Sequence, residues 1–290
     1  MQKLQKTLTN RQKYVTIHYM KDCFNYKLCI DGIALQYCNS LIMEEREIHS
    51  YHEILFCENI NTVLYTENQK TALRGKFLVI IPKGKYHLFD LTGVKSFARL
   101  KISISDEVIK AKPICIFSSD IHIVTPLTLG CEFLINKVLE LICDASDSKD
   151  EYYAYCAVNM LFAELNESQF EVGIAEKTDC NDIIRKITEY VSTHLSEDLS
   201  VKALARVSNA SSSYLTHEFQ KEVGISLHRY IVQKRMIYAQ ERINSGERAS
   251  KIYVDCGYTD YSSFYKAYLN YFGEAPSKRR STRQYQPISE

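Results

Sequence analysis

Two sets of side chains in this sequence have the types and spacing to do chemistry. The first is Ser212, Ser213, Thr216, His217 and Gln220, answered further along by Tyr261, Ser262, Tyr265 and Lys266. Steps of one, three and four residues put each group on one face of a helix. Each member carries a hydrogen-bonding group. Such a face suits the reading of base edges and the holding of phosphates; the bland alternative is a plain solvated helix face. The second set is His49, His52, Glu53 and His87. Two histidines, an acid and a later histidine are metal-ligand types. Yet Glu53 directly follows His52, so in a strand they point to opposite faces and cannot both hold one ion. The set reads better as the lining of a small-ligand pocket near His49, Tyr51, Glu53, Tyr86 and His87, with no metal and no cofactor. The chain has no Gly-rich phosphate loop, no G-x-S-x-G and no H-E-x-x-H. Ser211, Ser212 and Ser213 start a helix with no base nearby, so no enzyme is expected.

The elements that position the first set come in two copies. Leu204, Asn209, Leu215, Phe219 and Gly224 are answered by Ile252, Gly257, Phe264, Tyr268 and Gly273. Only the step from the second member to the third differs, by one residue. The repeat describes a short helix, a tight turn, a second helix and a stop. In the first copy Val201, Leu204 and Ala205 form an apolar face behind Ser200 as N-cap, and Asn209 tolerates the left-handed turn. Ser211 caps a second helix with Tyr214, Leu215 and Phe219 inward, and Gly224 ends it. In the second copy Ile252 and Val254 lie on the first helix, Gly257 turns, and Asp260 caps a helix with Phe264, Ala267 and Tyr268 inward. Each second helix has one face to pack and one to lie in a groove, as a helix-turn-helix requires. Between the copies, 226–244 predicts one helix with Leu227, Tyr230, Ile231, Met236, Ile237, Ala239 and Ile243 mostly inward. At 1.5 Å per residue it spans roughly 28 Å. Successive major-groove faces on one side of B-DNA lie ~34 Å apart.

Residues 183–280 resemble the DNA-binding domain of the AraC/XylS family of bacterial transcription regulators. The resemblance rests on Leu204-Ala205, Ser211, Tyr214-Leu215, Phe219, Gly224, Tyr230, Arg235, Ala239, Ile252, Gly257-Tyr258, Asp260, Phe264, Tyr268, Gly273, Pro276-Ser277 and Arg280. Asn209 stands where the family has a turn glycine, Tyr253 where it has alanine, and Gln220 and Leu269 where lysines are common. The resemblance implies double-stranded promoter DNA as partner, a homodimer on paired half-sites and contact with RNA polymerase; the scattered cysteines, without a secretion-type signal, point to reduced thiols in a cytoplasm. Activation is the commoner outcome in that family.

Upstream, 14–105 predicts short β-strands at 14–20, 27–30, 33–37, 53–58, 62–65, 77–81 and 97–104, separated by Asp31-Gly32, Glu67-Asn68, Lys83-Gly84 and Thr92-Gly93. The run His49, His52-Glu53-Ile54, Gly75, Ile81-Pro82 and His87 is similar to the cupin-type sensor barrels attached to many AraC-like regulators. That resemblance implies a small organic effector without metal, and an N-terminal arm over the pocket. From 127 to 165 the period is helical, through Cys131, Leu134, Ile135, Val138 and Ile142, then Tyr152, Tyr155, Cys156, Met160 and Ala163. This hairpin either only packs on the barrel or, as the family implies, makes a dimer interface.

No apolar run approaches the ~18 residues of a membrane span. Residues 1–13 are polar and basic, unlike a secretion signal. The 10 cysteines include no C-x-x-C, which points to reduced, mostly buried thiols. Residues 181–290 hold 16 Lys+Arg against 12 Asp+Glu, whereas 1–180 hold 20 against 23. The basic excess suits DNA but is modest, so non-specific binding should be salt-sensitive rather than tight. Lys278, Arg279, Arg280 and Arg283 reach phosphates or form a solvated tail.

The expected architecture is a multi-domain α+β chain. A cupin-like effector and dimerisation domain at 1–165 includes the hairpin at about 127–165. A linker at 166–181, an all-α domain with two helix-turn-helix units at 182–284 and a tail at 285–290 follow. The expected function is an effector-responsive, sequence-specific transcription regulator. Two alternatives stay open: a metal-dependent cupin enzyme fused to a DNA-binding domain, and a ligand-free regulator whose N-terminal domain only dimerises.

Overall fold

The computed structural model describes residues 26–30, 32–38, 48–94, 98–112, 114–117, 120–143, 148–167 and 177–276. The expected strand at 14–20, the N-terminal arm and the basic cluster at 278–283 lie outside the described residues.

Antiparallel strands fill the first part: β1 (Tyr26–Ile30), β2 (Ile33–Cys38), β3 (His52–Thr66), β4 (Gln69–Ile81), β5 (His87–Phe89), β6 (Ala98–Ile104) and β7 (His122–Val124). Their order is β1-β2-β6-β3-β4-β7, with β5 added on β3. Among the described residues these antiparallel strands make up the expected N-terminal β region, and the ladder is continuous from β1 to β7. The strands expected at 53–58 and 62–65 are one 15-residue strand, β3. A register shift between Cys57 and Ile60 bends it, with Asn59 at φ 60°. Asparagine tolerates that left-handed conformation, so the bulge redirects the strand without ending it. Its first half pairs with β6 and its last residues with β5.

Alternation along β3 separates two faces. Ile54 and Phe56 join Leu78, Ile80, Leu100 and Ile102 in a core shared with α2 (Leu129–Cys143) and α3 (Ser148–Glu167). A short helix, α1 (Asp106–Ala111), adds Val108 to that core. Leu55 and Cys57 join Phe77, Val79 and Phe89 on the other face. Opposite Glu53, Leu55 and Cys57 stand Ser103, Lys101 and Arg99 of β6, all buried. Cross-strand partners share a face, so this face carries a polar row beside its apolar floor.

On the hairpin, Cys131, Leu134, Ile135, Val138 and Ile142 of α2 are buried, but α3 packs through Ala154, Ala157, Val158, Leu161 and Leu165. Tyr152 and Met160, members of the α3 stripe read from the sequence, are each 60% exposed, and Tyr153, Leu129 and Phe133 are exposed as well. The segment expected as linker holds a strand, β8 (Lys177–Asp179), which pairs with β4 from Gln69 to Thr71.

The remainder is helical: α4 (Asp182–Thr193), α5 (Val201–Val207), α6 (Ser212–Val223), α7 (Leu227–Asn244), α8 (Ala249–Ile252) and α9 (Tyr261–Phe272). The α4 helix, not singled out in the sequence, buries Ile184, Ile187 and Val191. Leu204, Leu215, Phe219, Tyr230, Met236, Ile252, Phe264 and Tyr268 form one core, which also takes in Ile48 and Tyr86 from the sheet region. Two expectations are corrected. Tyr214 is 41% exposed rather than inward, and Val254 lies beyond the end of α8, 54% exposed.

The two tight turns solve the same problem differently. Asn209 adopts φ 52° and Gly257 φ 75°. A Cβ at Gly257 would sit 2.4 Å from the Leu195 carbonyl oxygen and against the Arg235 guanidinium. That space is closed, since Arg235 itself donates to Leu195 O at 3.0 Å and Glu197 O at 2.9 Å. Gly257→Ala is therefore expected to cost about 2–3 kcal/mol. Asn209→Gly should change stability by no more than about 0.5 kcal/mol. Urea unfolding of the two variants checks the contrast.

Candidate functional site

The helix starts are built by the residues the repeat singled out. Ser211 Oγ accepts from the Tyr214 N–H at 3.2 Å and opens α6. Asp260 Oδ1 accepts from the Ser263 N–H at 2.8 Å, and its Oδ2 accepts from the Ser263 hydroxyl at 2.8 Å. These bonds, the backbone one foremost, hold the Asp260 carboxyl below its ordinary value. Gly224 and Gly273, at φ 85° and 73°, end the two helices.

Between cap and stop the polar faces are open. Ser212, Ser213, Thr216, His217 and Gln220 of α6 are exposed, as are Ser262 and Lys266 of α9. Tyr261 and Tyr265 are half-buried. The Tyr261 ring meets Tyr253 edge-on at 6.1 Å and lies 6.1 Å from Tyr265. Aromatic packing thus fixes the second face more than the first. Thr216 donates its hydroxyl to Ser212 O at 2.9 Å. The hydroxyl keeps its lone pairs for an outside donor. Sequence reasoning missed the exposed Tyr214, whose hydroxyl accepts from Asn181 Nδ2 at 2.9 Å. Asn181 also caps α4, taking the Ile183 N–H at 2.9 Å. Its polarity and position before an apolar-periodic run were the available signal. Lys221 is drawn to Glu218 at 2.9 Å, which leaves α6 little uncommitted positive charge.

The second set divides as strand alternation requires. His52 turns away toward Asp106, 3.0 Å off, while His49, Glu53 and His87 converge. His49 Nε2 lies 2.7 Å from Glu53 Oε2 and its Nδ1 lies 2.8 Å from Tyr51 O. His87 Nε2 lies 3.4 Å from the same Glu53 oxygen, and Lys101 Nζ lies 3.9 Å from the other. The Tyr51 ring stacks on His49 at 4.1 Å and its hydroxyl accepts from Lys101 at 3.4 Å. Tyr86 does not join this group. Its side chain points into the helical core, where its hydroxyl donates to Val223 O at 2.5 Å. It is the neighbour of His87, and neighbours on an extended chain face opposite ways.

Burial raises the Glu53 carboxyl, but Lys101 and then His49 outweigh it and hold the group well below its ordinary value. Burial pushes the His49 imidazole down, with Glu53 opposing. The ligand atoms of His49, Glu53 and His87 lie within 4.8 Å of one another, a donor set of the kind that divalent transition metals take. Lys101 already supplies positive charge beside the carboxylate, so the group is balanced by protein charge alone. Its mixture of imidazole, carboxylate, ammonium and phenol offers both donors and acceptors to a small polar molecule.

Residues 204–282 match a family model described as a helix-turn-helix domain. The chain is similar to the Msm operon regulatory protein of Streptococcus mutans, 31% identical over 102 residues, covering 35% of this chain and 37% of that protein. It is similar to the regulatory protein SoxS of Salmonella typhimurium, 28% identical over 99 residues, covering 34% of this chain and 92% of that one. Among solved structures, ToxT of Vibrio cholerae aligns over 85% of this chain and 97% of its own, at 14% identity and a TM-score of 0.37. The chain spans between 33% and 38% of the first three curated relatives it matches.

The buried charge balance gives a direct test. Lys101→Met would leave the Glu53 carboxylate buried without its ammonium neighbour. The loss is expected to be about 3 kcal/mol in urea unfolding. A cost under about 1 kcal/mol would mean that the carboxylate is compensated elsewhere.

Proposed function

We propose that this chain, whose C-terminal domain is a double helix-turn-helix of the AraC type, is a sequence-specific DNA-binding transcription regulator that responds to a small polar molecule. The observation that carries the first half is the pair of capped helices, α6 and α9, each packed on one side and polar and accessible on the other. The first N–H groups of α6, which starts with no acidic residue, and basic side chains would hold phosphates. Ser212, Ser213, Thr216, His217 and Gln220 would meet one stretch of major groove, and Tyr261, Ser262, Tyr265 and Lys266 the next. Helix α7 joins the two units with 18 residues, about 27 Å of rise. With Gln220 and Leu269 supplying no charge, the readout leans on short polar contacts, water and DNA shape.

The second half rests on the buried group around Glu53. Its donors and acceptors sit beside the apolar floor of Leu55, Phe77 and Val79, a combination that orients and encloses a small ligand. Such a ligand regulates only by binding two states unequally. The exposed apolar side chains of α2 and α3, Leu129, Phe133, Tyr152, Tyr153 and Met160, suit a second copy of the chain. Paired chains would match paired half-sites. Activation through contact with RNA polymerase, and work in the cytoplasm, belong to the same reading. No helix among the described residues is long and apolar enough to cross a membrane.

A map of where the protein sits on its own chromosome tests the reading: discrete sites upstream of operons are expected, and uniform or absent occupancy by folded protein counts against it. On a fragment so recovered, His217→Ala should weaken binding by about 1 kcal/mol or more. Lys266→Ala should weaken it and lower the salt slope by about 1. Unchanged binding by both variants removes these contacts. For the paired state, sedimentation of Phe133→Glu and Met160→Glu should show the dimer lost, while a dimer unaffected by both moves the interface elsewhere.

A further inference from the structure

We propose that the Glu53 group is coupled to both recognition units through two single-residue steps, Ile48–His49 and Tyr86–His87. The proposal rests on reading that group as the effector site. In each step one residue belongs to the buried polar group and its neighbour belongs to the helical core. His49 and His87 contact Glu53, while Ile48 and Tyr86 are 0% exposed among the apolar side chains of the helical domain.

Each core-side neighbour holds one recognition helix. Tyr86 donates its hydroxyl to the carbonyl of Val223, the last residue of α6. Its ring meets Tyr230 edge-on at 5.6 Å, and Tyr230 in turn touches Phe219 of α6 at 5.4 Å. Leu88, next along, fills the space beside Gly224, where a Cβ would come within 2.6 Å of Leu88 Cδ2. On the other step, Ile48 O accepts from the Tyr271 hydroxyl of α9 at 2.7 Å. The two steps are tied together, because the Gly84 N–H donates to His49 O at 2.8 Å.

The surroundings keep this joint closed while its centre responds. Lys70 pairs with Glu222 at 2.9 Å, Lys83 with Glu241 at 3.7 Å, and Lys234 with Glu67. Tyr230 donates to Glu67 at 3.0 Å and Lys234 to Gly84 O at 3.1 Å. A molecule that engages Glu53 or His49 must alter their 2.7 Å contact, and one that engages His87 the 3.4 Å contact to the same oxygen. Packed side chains pass such a change on to what they touch instead of absorbing it. The outcome is a shift at the C-terminal ends of α6 and α9, not a separation of the domains.

The test uses the full chain and needs no ligand. Amide hydrogen exchange is followed in the windows 220–227 and 268–274 for wild type, Glu53→Gln, the pair Tyr86→Phe with Tyr271→Phe, and all three together. Glu53→Gln is expected to speed exchange in both windows by about threefold or more, and the effect should fall by at least about half once the two hydroxyls are gone. His87→Gln is the second perturbation, read in the same windows if Glu53→Gln does not fold. The proposal is overturned if exchange changes only in the sheet, around 49–57 and 84–103, and both helix windows stay at the wild-type rate. It is equally overturned if the effect persists undiminished without the hydroxyls. Binding of the wild-type chain to chromosomal fragments is measured alongside. A chain that binds none defeats the DNA reading, while the exchange result still decides the coupling.

Discussion

Tyr86 is a full-size aromatic side chain with no exposed surface, and most of what surrounds it belongs to another part of the chain. That burial is the constraint on which the rest depends. A phenol buried away from water needs a partner for its hydroxyl, and the partner is the carbonyl that closes α6. Together with Ile48, and with the partly buried Tyr65 and Leu88, Tyr86 completes the core of the helical domain. Undocking would open a hole in that core and strand an aromatic ring in water, a cost of several kcal/mol from the aromatic alone. The ion pairs at the rim sit partly in solvent and contribute less. The β8–β4 pairing adds a backbone tie from the segment just before α4. These contacts tie the sheet region to the helical core at several points.

The helical domain was largely legible from sequence because its determinants are local. Ser200, Ser211, Ser226 and Asp260 each accept a hydrogen bond at the start of a helix, and the apolar residues fall at three- and four-residue steps. Tyr214 was misplaced because aromatic character argues for burial, while helix phase puts it one step before Leu215 and beside the polar face. The sheet was harder. The merging of two expected strands into β3 depends on Asn59, whose left-handed conformation acts as a bend only because β4 continues opposite it. Periodicity says nothing of β8, a three-residue strand created by its docking on β4. On α3 the periodic stripe was present, but periodicity does not say which side of a helix faces the core. Small residues, Ala154 and Ala157, permit close approach to α2 and take the inside.

The polar group behind β3 shows the same limit from the other side. His49, Glu53 and His87 were identifiable by type, and alternation alone removed His52 from their company. Lys101 was not, although it decides the electrostatics. It enters through the β3–β6 register, in which it stands opposite Leu55 and one pair from Glu53. That register is a long-range fact, and the charge balance of the interior follows from it. A buried carboxylate with an ammonium and two imidazoles around it costs desolvation that an apolar side chain would avoid. That cost is consistent with the proposed role of the group in recognition.

How such a group would act on DNA binding is limited by where the domains touch. The sheet region meets α6 at Glu222, Val223 and Gly224 and meets α9 at Tyr271, which are the C-terminal ends of both helices. Most of each polar face, from Ser212 to His217 and from Tyr261 to Lys266, lies toward the N-terminal end, with Gln220 in the last turn of α6. Among the described residues, docking leaves these polar side chains exposed or, for Tyr261 and Tyr265, half-buried. What the contacts do constrain is the relative placement of the two helices. On the proposed reading both would meet successive stretches of one major groove, and α7 joins them as one continuous helix. Under the proposed coupling, a change at Val223 and Tyr271 would act at the C-terminal roots of both helices. Control would then work through alignment, with one placement letting both faces engage the duplex together and another letting only one do so.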